Sequence, residues 1–160
     1  MEFNYTHINS NNPGDQYVDI SGVEHHDVPV VGLSKNSYNV SLMYEKTQVS
    51  VRLAYNWRSK YLMSTNSNGT TPTYNYYPAA GAPGQPIGIA LPIFADQYGE
   101  LDLGTTYRPT DHIAVSLDLN NLTNATTRTL MGGYPTASQQ YVRSWFTADR
   151  RIALSVRYKF

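Results

Sequence analysis

The chain ends in RRIALSVRYKF, and this ending restricts its fold more than any other stretch. Counting back by twos from Phe160, the residues Tyr158, Val156, Leu154 and Ile152 are all apolar or aromatic. The intervening Lys159, Arg157, Ser155, Ala153 and Arg151 are small or charged. Side chains along a strand alternate between two faces, so period-two patterning predicts a strand with one greasy face and one wet face.

Five further segments read the same way. They are Glu2 to Ile8, Ser37 to Glu45, Gln48 to Arg58, Glu100 to Tyr107 and Ile113 to Leu119. The last strand is expected over Arg151 to Phe160, with a possible start upstream near Tyr141. In Gln48 to Arg58 the apolar set is Val49, Val51, Leu53, Tyr55 and Trp57, a length that lets a tilted strand cross a bilayer's hydrocarbon. From Ser37 onward, the apolar sets of these strands contain no charged residue. The opposite sets carry Glu45, Arg52, Arg58, Asp102, Asp118, Arg157 and Lys159. Such charges are poor neighbours in a dry core and comfortable in a water-filled lumen.

The connections alternate in length. Glu45-Lys46-Thr47 and Arg108 to His112 read as short turns, the second with Pro and Asp in turn-favouring places. The segments 9–36, 59–99 and 121–145 read as long polar loops, of a size uncommon in compact soluble domains. Tyr74-Asn75-Tyr76 and the alternating Ile87, Ile89, Leu91 and Ile93 could add strands, but Pro86 and Pro92 favour loop structure. If strand directions alternate, Tyr44, Tyr107, Tyr158 and Phe160 gather at one rim, and Tyr38 and Trp57 at the other. The composition fits, since 14 Tyr stand against 4 Phe and 2 Trp, and Tyr suits half-buried pleats and membrane interfaces.

The expected fold class is therefore all-β: an antiparallel transmembrane β-barrel segment of about six strands, with short periplasmic turns and long extracellular loops. A soluble β-sandwich explains the alternation equally well, but not the charged second face, the loop asymmetry or the aromatic rims. No run of about 18 apolar residues exists to form a membrane helix. The mean hydropathy of −0.44 does not exclude a barrel, whose strands give only half their residues to lipid. Net charge is zero with no basic run, so no nucleic-acid partner is expected. With no Cys, disulfides and thiolate metal sites are impossible. Met1 runs directly into an alternating strand without a signal peptide, so an exported barrel is expected to be a piece of a longer chain.

Three stretches carry a family resemblance. Leu33 to Leu62, Tyr98 to Arg128 with its Asn121-Leu122-Thr123-Asn124 ending, and the terminal RRIALSVRYKF resemble, in order and spacing, the C-terminal barrel of TonB-dependent outer-membrane receptors. The carbohydrate-associated receptors of proteobacteria are the most similar group. The resemblance spans nearly all of 1–160 and implies a place in the cell outer membrane of a Gram-negative bacterium. It also implies a whole barrel of about 22 strands around a plug. The plug and the N-terminal strands are absent from this chain, so the TonB complex is reached only through that missing part. The remaining implied partners are outer-membrane lipid and the barrel-assembly machinery, which reads Tyr158 and Phe160 as a C-terminal assembly signal.

Candidate sites are few. Arg52, Arg58, Asp102, Asp118 and Arg157 are expected to face the lumen, with the two Asp paired to Arg52 or Arg157 across strands. The loop residues Tyr74, Asn75, Tyr76 and Tyr77 could contact a ligand, since aromatic faces and amides suit sugars or aromatic chelators; packing between loops is the plainer reading. Glu24-His25-His26-Asp27 resembles a metal cluster, but neighbouring side chains of an extended segment point apart, which favours a polar loop. His7 and His112 stand alone. No G-x-S-x-G, G-x-x-x-x-G-K-[ST] or H-E-x-x-H motif occurs, so no enzyme activity, cofactor or metal is expected. The sequons at Asn4, Asn39, Asn68, Asn121 and Asn124 follow from Asn and Thr richness, and no glycans are expected on them. The expected function is a segment of a receptor for TonB-dependent uptake of a siderophore, vitamin or glycan. The alternatives are a small complete barrel acting as adhesin or structural protein, which needs strands from 74–93, and a soluble β-rich binding module.

Overall fold

The computed structural model describes residues 1–13, 17–18, 24–26, 28–65, 91–132 and 140–160. All regular structure among them is β: β1 Glu2–His7, β2 Tyr17–Val18, β3 Glu24–His25, β4 Asn36–Lys46, β5 Val49–Arg58, β6 Tyr61–Ser64, β7 Ile93–Ala95, β8 Tyr98–Thr110, β9 Ile113–Asn120, β10 Thr126–Gly132, β11 Gln140–Thr147 and β12 Arg151–Tyr158. Six of them form an antiparallel sheet in the order β1-β4-β5-β8-β9-β12. These are the six alternating segments of the sequence, and the period-two pattern accounts for each.

A second sheet has the order β11-β10-β7-β6. It continues the first, because β6 follows β5, β7 precedes β8, β10 follows β9 and β11 precedes β12. The neighbour order is the same in both sheets, so four long strands run through a break. The break falls at Ser59-Lys60, Asp96-Gln97, 121–125 and 148–150. The sheet therefore has a turn end, with Thr47-Gln48 and Asp111-His112, and a loop end beyond the break. β2 and β3 form a small separate pair.

Three expectations need correction. The sixth strand does not extend upstream to Tyr141: Gln140–Thr147 is a separate strand, β11, paired with β10 in the second sheet. The segments 59–99 and 121–145 are not loops throughout, since they hold β6, β7, β10 and most of β11. The short turns are tighter than read: Lys46 already pairs with Val49, and β8 runs through Pro109 to Thr110. Pro109 is accommodated because a register shift between Tyr107 and Thr110 relieves the ladder of its missing N–H.

No strand joins β1 to β12 among the described residues, so the sheet is open at both edges and no closed barrel is formed. The small buried core lies at the loop end, where Val28, Leu62 and Phe94 pack together with Leu130 against them. Gly32, in the left-handed region at φ 81°, donates its N–H to Leu62 O at 2.7 Å and ties this core to the preceding chain. The six-stranded sheet has no second layer among the described residues, and its side chains are half-buried or exposed on both faces.

Candidate functional site

Antiparallel partners share a face, so the register builds each face row by row. On one face, Leu42, Leu53, Leu103, Leu119 and Ile152 form a row across five strands. The next row toward the turn end is Tyr44, Val51, Thr105, Leu117 and Leu154. The next is Lys46, Val49, Tyr107, Val115 and Val156, so a single charge stands at the margin of this apolar surface. Much of the surface is open: Leu42 is 44% exposed, and Ile152 and Leu154 on the edge strand are 74% and 70% exposed.

Aromatic residues border the apolar surface at both ends. At the loop end Tyr38 stacks on Trp57 with centroids 5.0 Å apart, and Tyr55 lies 5.9 Å from Tyr38. Gly99 pairs with Trp57, and a Cβ there would collide with the Tyr55 hydroxyl and approach Trp57 Cδ1 to 3.0 Å. The missing side chain lets both rings lie over the backbone of β8. At the turn end stand Tyr44, Tyr107, Tyr158 and Phe160. Tyr158 meets Phe160 edge to face at 5.1 Å. The last residues are tied down, since Lys159 N donates to His112 O at 2.8 Å and His112 Nδ1 lies 3.0 Å from Lys159 O. Phe160 itself is fully exposed.

The opposite face gathers all five charged residues singled out in the sequence. Arg52 lies opposite Gly104, and Gly104 opposite Asp118. Asp102 is opposite Ala54 in the adjacent row, Arg58 opposite Tyr98 near the loop end, and Arg157 opposite Ala114 near the turn end. A shallow cavity of about 290 Å3 is lined by Arg52, Asn56, Asp102, Gly104, Asp118 and Asn120, among others. The expected ion pairs of Asp102 and Asp118 with Arg52 or Arg157 are not made. The ion pair among the described residues is Arg128 to Asp96, 2.6 Å, beside the break. The register explains the difference, because Gly104 intervenes between Arg52 and Asp118, while Asp102 is drawn to a backbone donor.

That donor belongs to a residue whose role the sequence did not reveal. Asn121 is 3% exposed and adopts φ 57°. Its N–H donates to Asp102 Oδ1 at 2.9 Å. Its side-chain amide donates to Ala148 O, and its Oδ1 accepts from Ala125 N at 2.7 Å. Asn tolerates the left-handed region better than other non-glycine residues and carries both a donor and an acceptor. One residue, through its backbone N–H and its side chain, thus bolts together β8, the segment leaving β9 and the segment entering β12. Leu122 N donates to Leu101 O at 2.8 Å, and Asn124, at φ 50°, donates its N–H to Asn121 O at 2.9 Å. The signal was the Asn121-Leu122-Thr123-Asn124 run, read as a strand ending and not as a buried joint.

Tyr74, Asn75, Tyr76 and Tyr77 lie outside the described residues, as does Asp27 of the Glu24-His25-His26-Asp27 run. His7 Nδ1 lies 2.7 Å from Asn36 Oδ1, which also accepts the Tyr5 hydroxyl at 2.9 Å, so it serves the β1–β4 contact. Comparison with family models, with curated proteins and with solved structures finds no match to this chain.

Proposed function

We propose that the chain forms part of the wall of an outer-membrane β-barrel, the C-terminal segment of a receptor of the TonB-dependent type, serving uptake of a siderophore, vitamin or glycan. One observation carries this reading: among the described residues, a single-layer antiparallel sheet with a continuous, half-buried to exposed apolar face backed by a charged one. A soluble sheet must bury its apolar face against a second layer. Here that face has aromatic residues at both ends and strands long enough to cross a bilayer, which is the pattern lipid requires. In this reading Arg52, Arg58, Asp102, Asp118 and Arg157 face the lumen, and the open edges of β1 and β12 receive further strands, since unpaired edges are not tolerated in lipid. Tyr158 and Phe160 anchor the turn end at the periplasmic interface and present the assembly signal.

The test is paired labelling on β9. A Cys at Leu117 is expected to be shielded from aqueous maleimide and quenched by lipid-borne probes, whereas a Cys at Ser116 reacts from water. Equal aqueous reactivity at the two positions refutes the reading. Shielding at 117 without lipid quenching assigns the face to a protein core instead.

A further inference from the structure

On the polar face, next to the break, two successive rows place Ser37, Arg58 and Tyr98 together, then Asn39, Asn56 and Glu100. A cavity of about 520 Å3 opens there, lined by Ser37, Asn39, Asn56, Trp57, Arg58 and Tyr98. This is within the size range of small-molecule sites. The Arg58 guanidinium lies 5.0 Å from the Tyr61 ring centroid and 6.0 Å from that of Tyr98. Both rings favour a cation at their faces and so hold the planar fork in position. No ion pair to Arg58 is present among the described residues. Its N–H edges are thus held in place without a carboxylate to receive them. The Tyr98 hydroxyl donates to Glu100 Oε2, which leaves Glu100 with acceptor capacity beside the two amides.

We propose that this cluster is a binding site for a carboxylated sugar, an uronic acid or its like. The geometry assigns the parts. Arg58 receives the carboxylate through its fork, the arrangement in which guanidinium and carboxylate match best. Asn39, Asn56 and Glu100 receive hydroxyls: amides offer both donor and acceptor, and Glu100 accepts only. These groups stand on strands about 4.8 Å apart and on rows about 6.6 Å apart, a spacing on the scale of one pyranose ring. A simple anion would use Arg58 alone and be repelled by Glu100. A neutral sugar would leave the guanidinium unmatched. Only a ligand with both an acid group and hydroxyls uses the whole cluster. The site is distinct from Arg52 and Asp118, since Arg52 is six residues away along β5, about 20 Å.

This inference rests on the barrel-wall reading for the polar face being a wet lumen, so assembly and binding are read separately. The parent barrel that carries this segment is refolded in detergent micelles, and its folded fraction is identified by heat-modifiable migration. Binding of D-glucuronate, D-glucose and inorganic phosphate to that fraction is measured by saturation-transfer NMR and titration. Glucuronate should bind about tenfold or more tightly than glucose, which differs by the acid group alone, and more tightly than phosphate. Arg58→Gln should weaken glucuronate at least about tenfold, the loss expected for a charged hydrogen-bonded contact, while Arg52→Gln leaves it unchanged. An assembled wall that binds glucose equally well, binds phosphate better, or is indifferent to Arg58→Gln overturns the site and leaves the barrel reading standing. Glucuronate binding dependent on Arg58, in a chain whose position 117 shows no lipid quenching, supports the site and overturns the barrel.

Discussion

Replacing Asn121 should loosen the joint between the two sheets in a graded way. The residue is buried at φ 57°, and its side chain satisfies Ala125 N–H and Ala148 C=O. Asn121→Gly keeps the backbone conformation and removes both bonds. Both partners are only part-buried, so each lost bond costs about 0.5–1.5 kcal/mol and roughly 1–3 kcal/mol is expected in all. Asn121→Ala removes the same bonds and adds about 1–2 kcal/mol for a Cβ in the left-handed region, giving roughly 2–5 kcal/mol. Asn121→Asp keeps an acceptor for Ala125 but turns a carboxylate oxygen toward the Ala148 carbonyl, so it should be no milder than Asn121→Gly. The assay is urea unfolding in micelles followed by Trp57 and Trp145 emission, with the urea dependence required to stay constant across the series. Wild-type stability in Asn121→Gly within about 0.5 kcal/mol refutes the hydrogen-bond argument, a margin typical of surface changes. Asn121→Ala no worse than Asn121→Gly refutes the backbone argument.

Leu117→Arg should impair assembly by roughly 2–4 kcal/mol, while Ser116→Arg, one residue along and on the other face, should cost little beyond its 2.9 Å contact with Thr106; the heat-modifiable fraction reads both. Deleting Phe160 should lower the folded fraction delivered to the outer membrane, and an unchanged folded band would end its role as an assembly signal. Gly99→Ala should cost about 1–3 kcal/mol by overpacking and shift Trp57 emission, since the added methyl meets Trp57 and Tyr55; unchanged emission and stability would show that the rings simply step aside.

The six strands of the main sheet were legible because each is half exposed, and a half-exposed strand prints its two faces on the sequence. The second sheet was not. Ile93–Ala95 is buried throughout, so nothing alternates. In β11 the register skips Arg143, and in β6 it skips Met63, and such a slip reverses the faces partway along a strand. The charged face was legible residue by residue, but its pairing was not: sequence shows which side Asp102 takes, and only the fold shows that Asn121 N–H claims it. The Arg58 cluster escaped for the same reason, because Tyr98 comes to it from the neighbouring strand and Tyr61 from beyond the break.

The neighbour order of the main sheet has a consequence for how the wall forms. Strands adjacent in the sheet follow one another along the chain once the β2–β3 pair and the excursions to the second sheet are set aside. The β4–β5 and β8–β9 hairpins close over two residues each, so they can appear within microseconds. Joining β5 to β8 and β9 to β12 means closing far longer segments, but each doubling of a loop costs only about 0.6 kcal/mol. Pairing of β6 with β7 and of β10 with β11 shortens those segments before the main strands meet. The second sheet can thus act as a temporal guide: once paired, it brings β8 beside β5 and β12 beside β9.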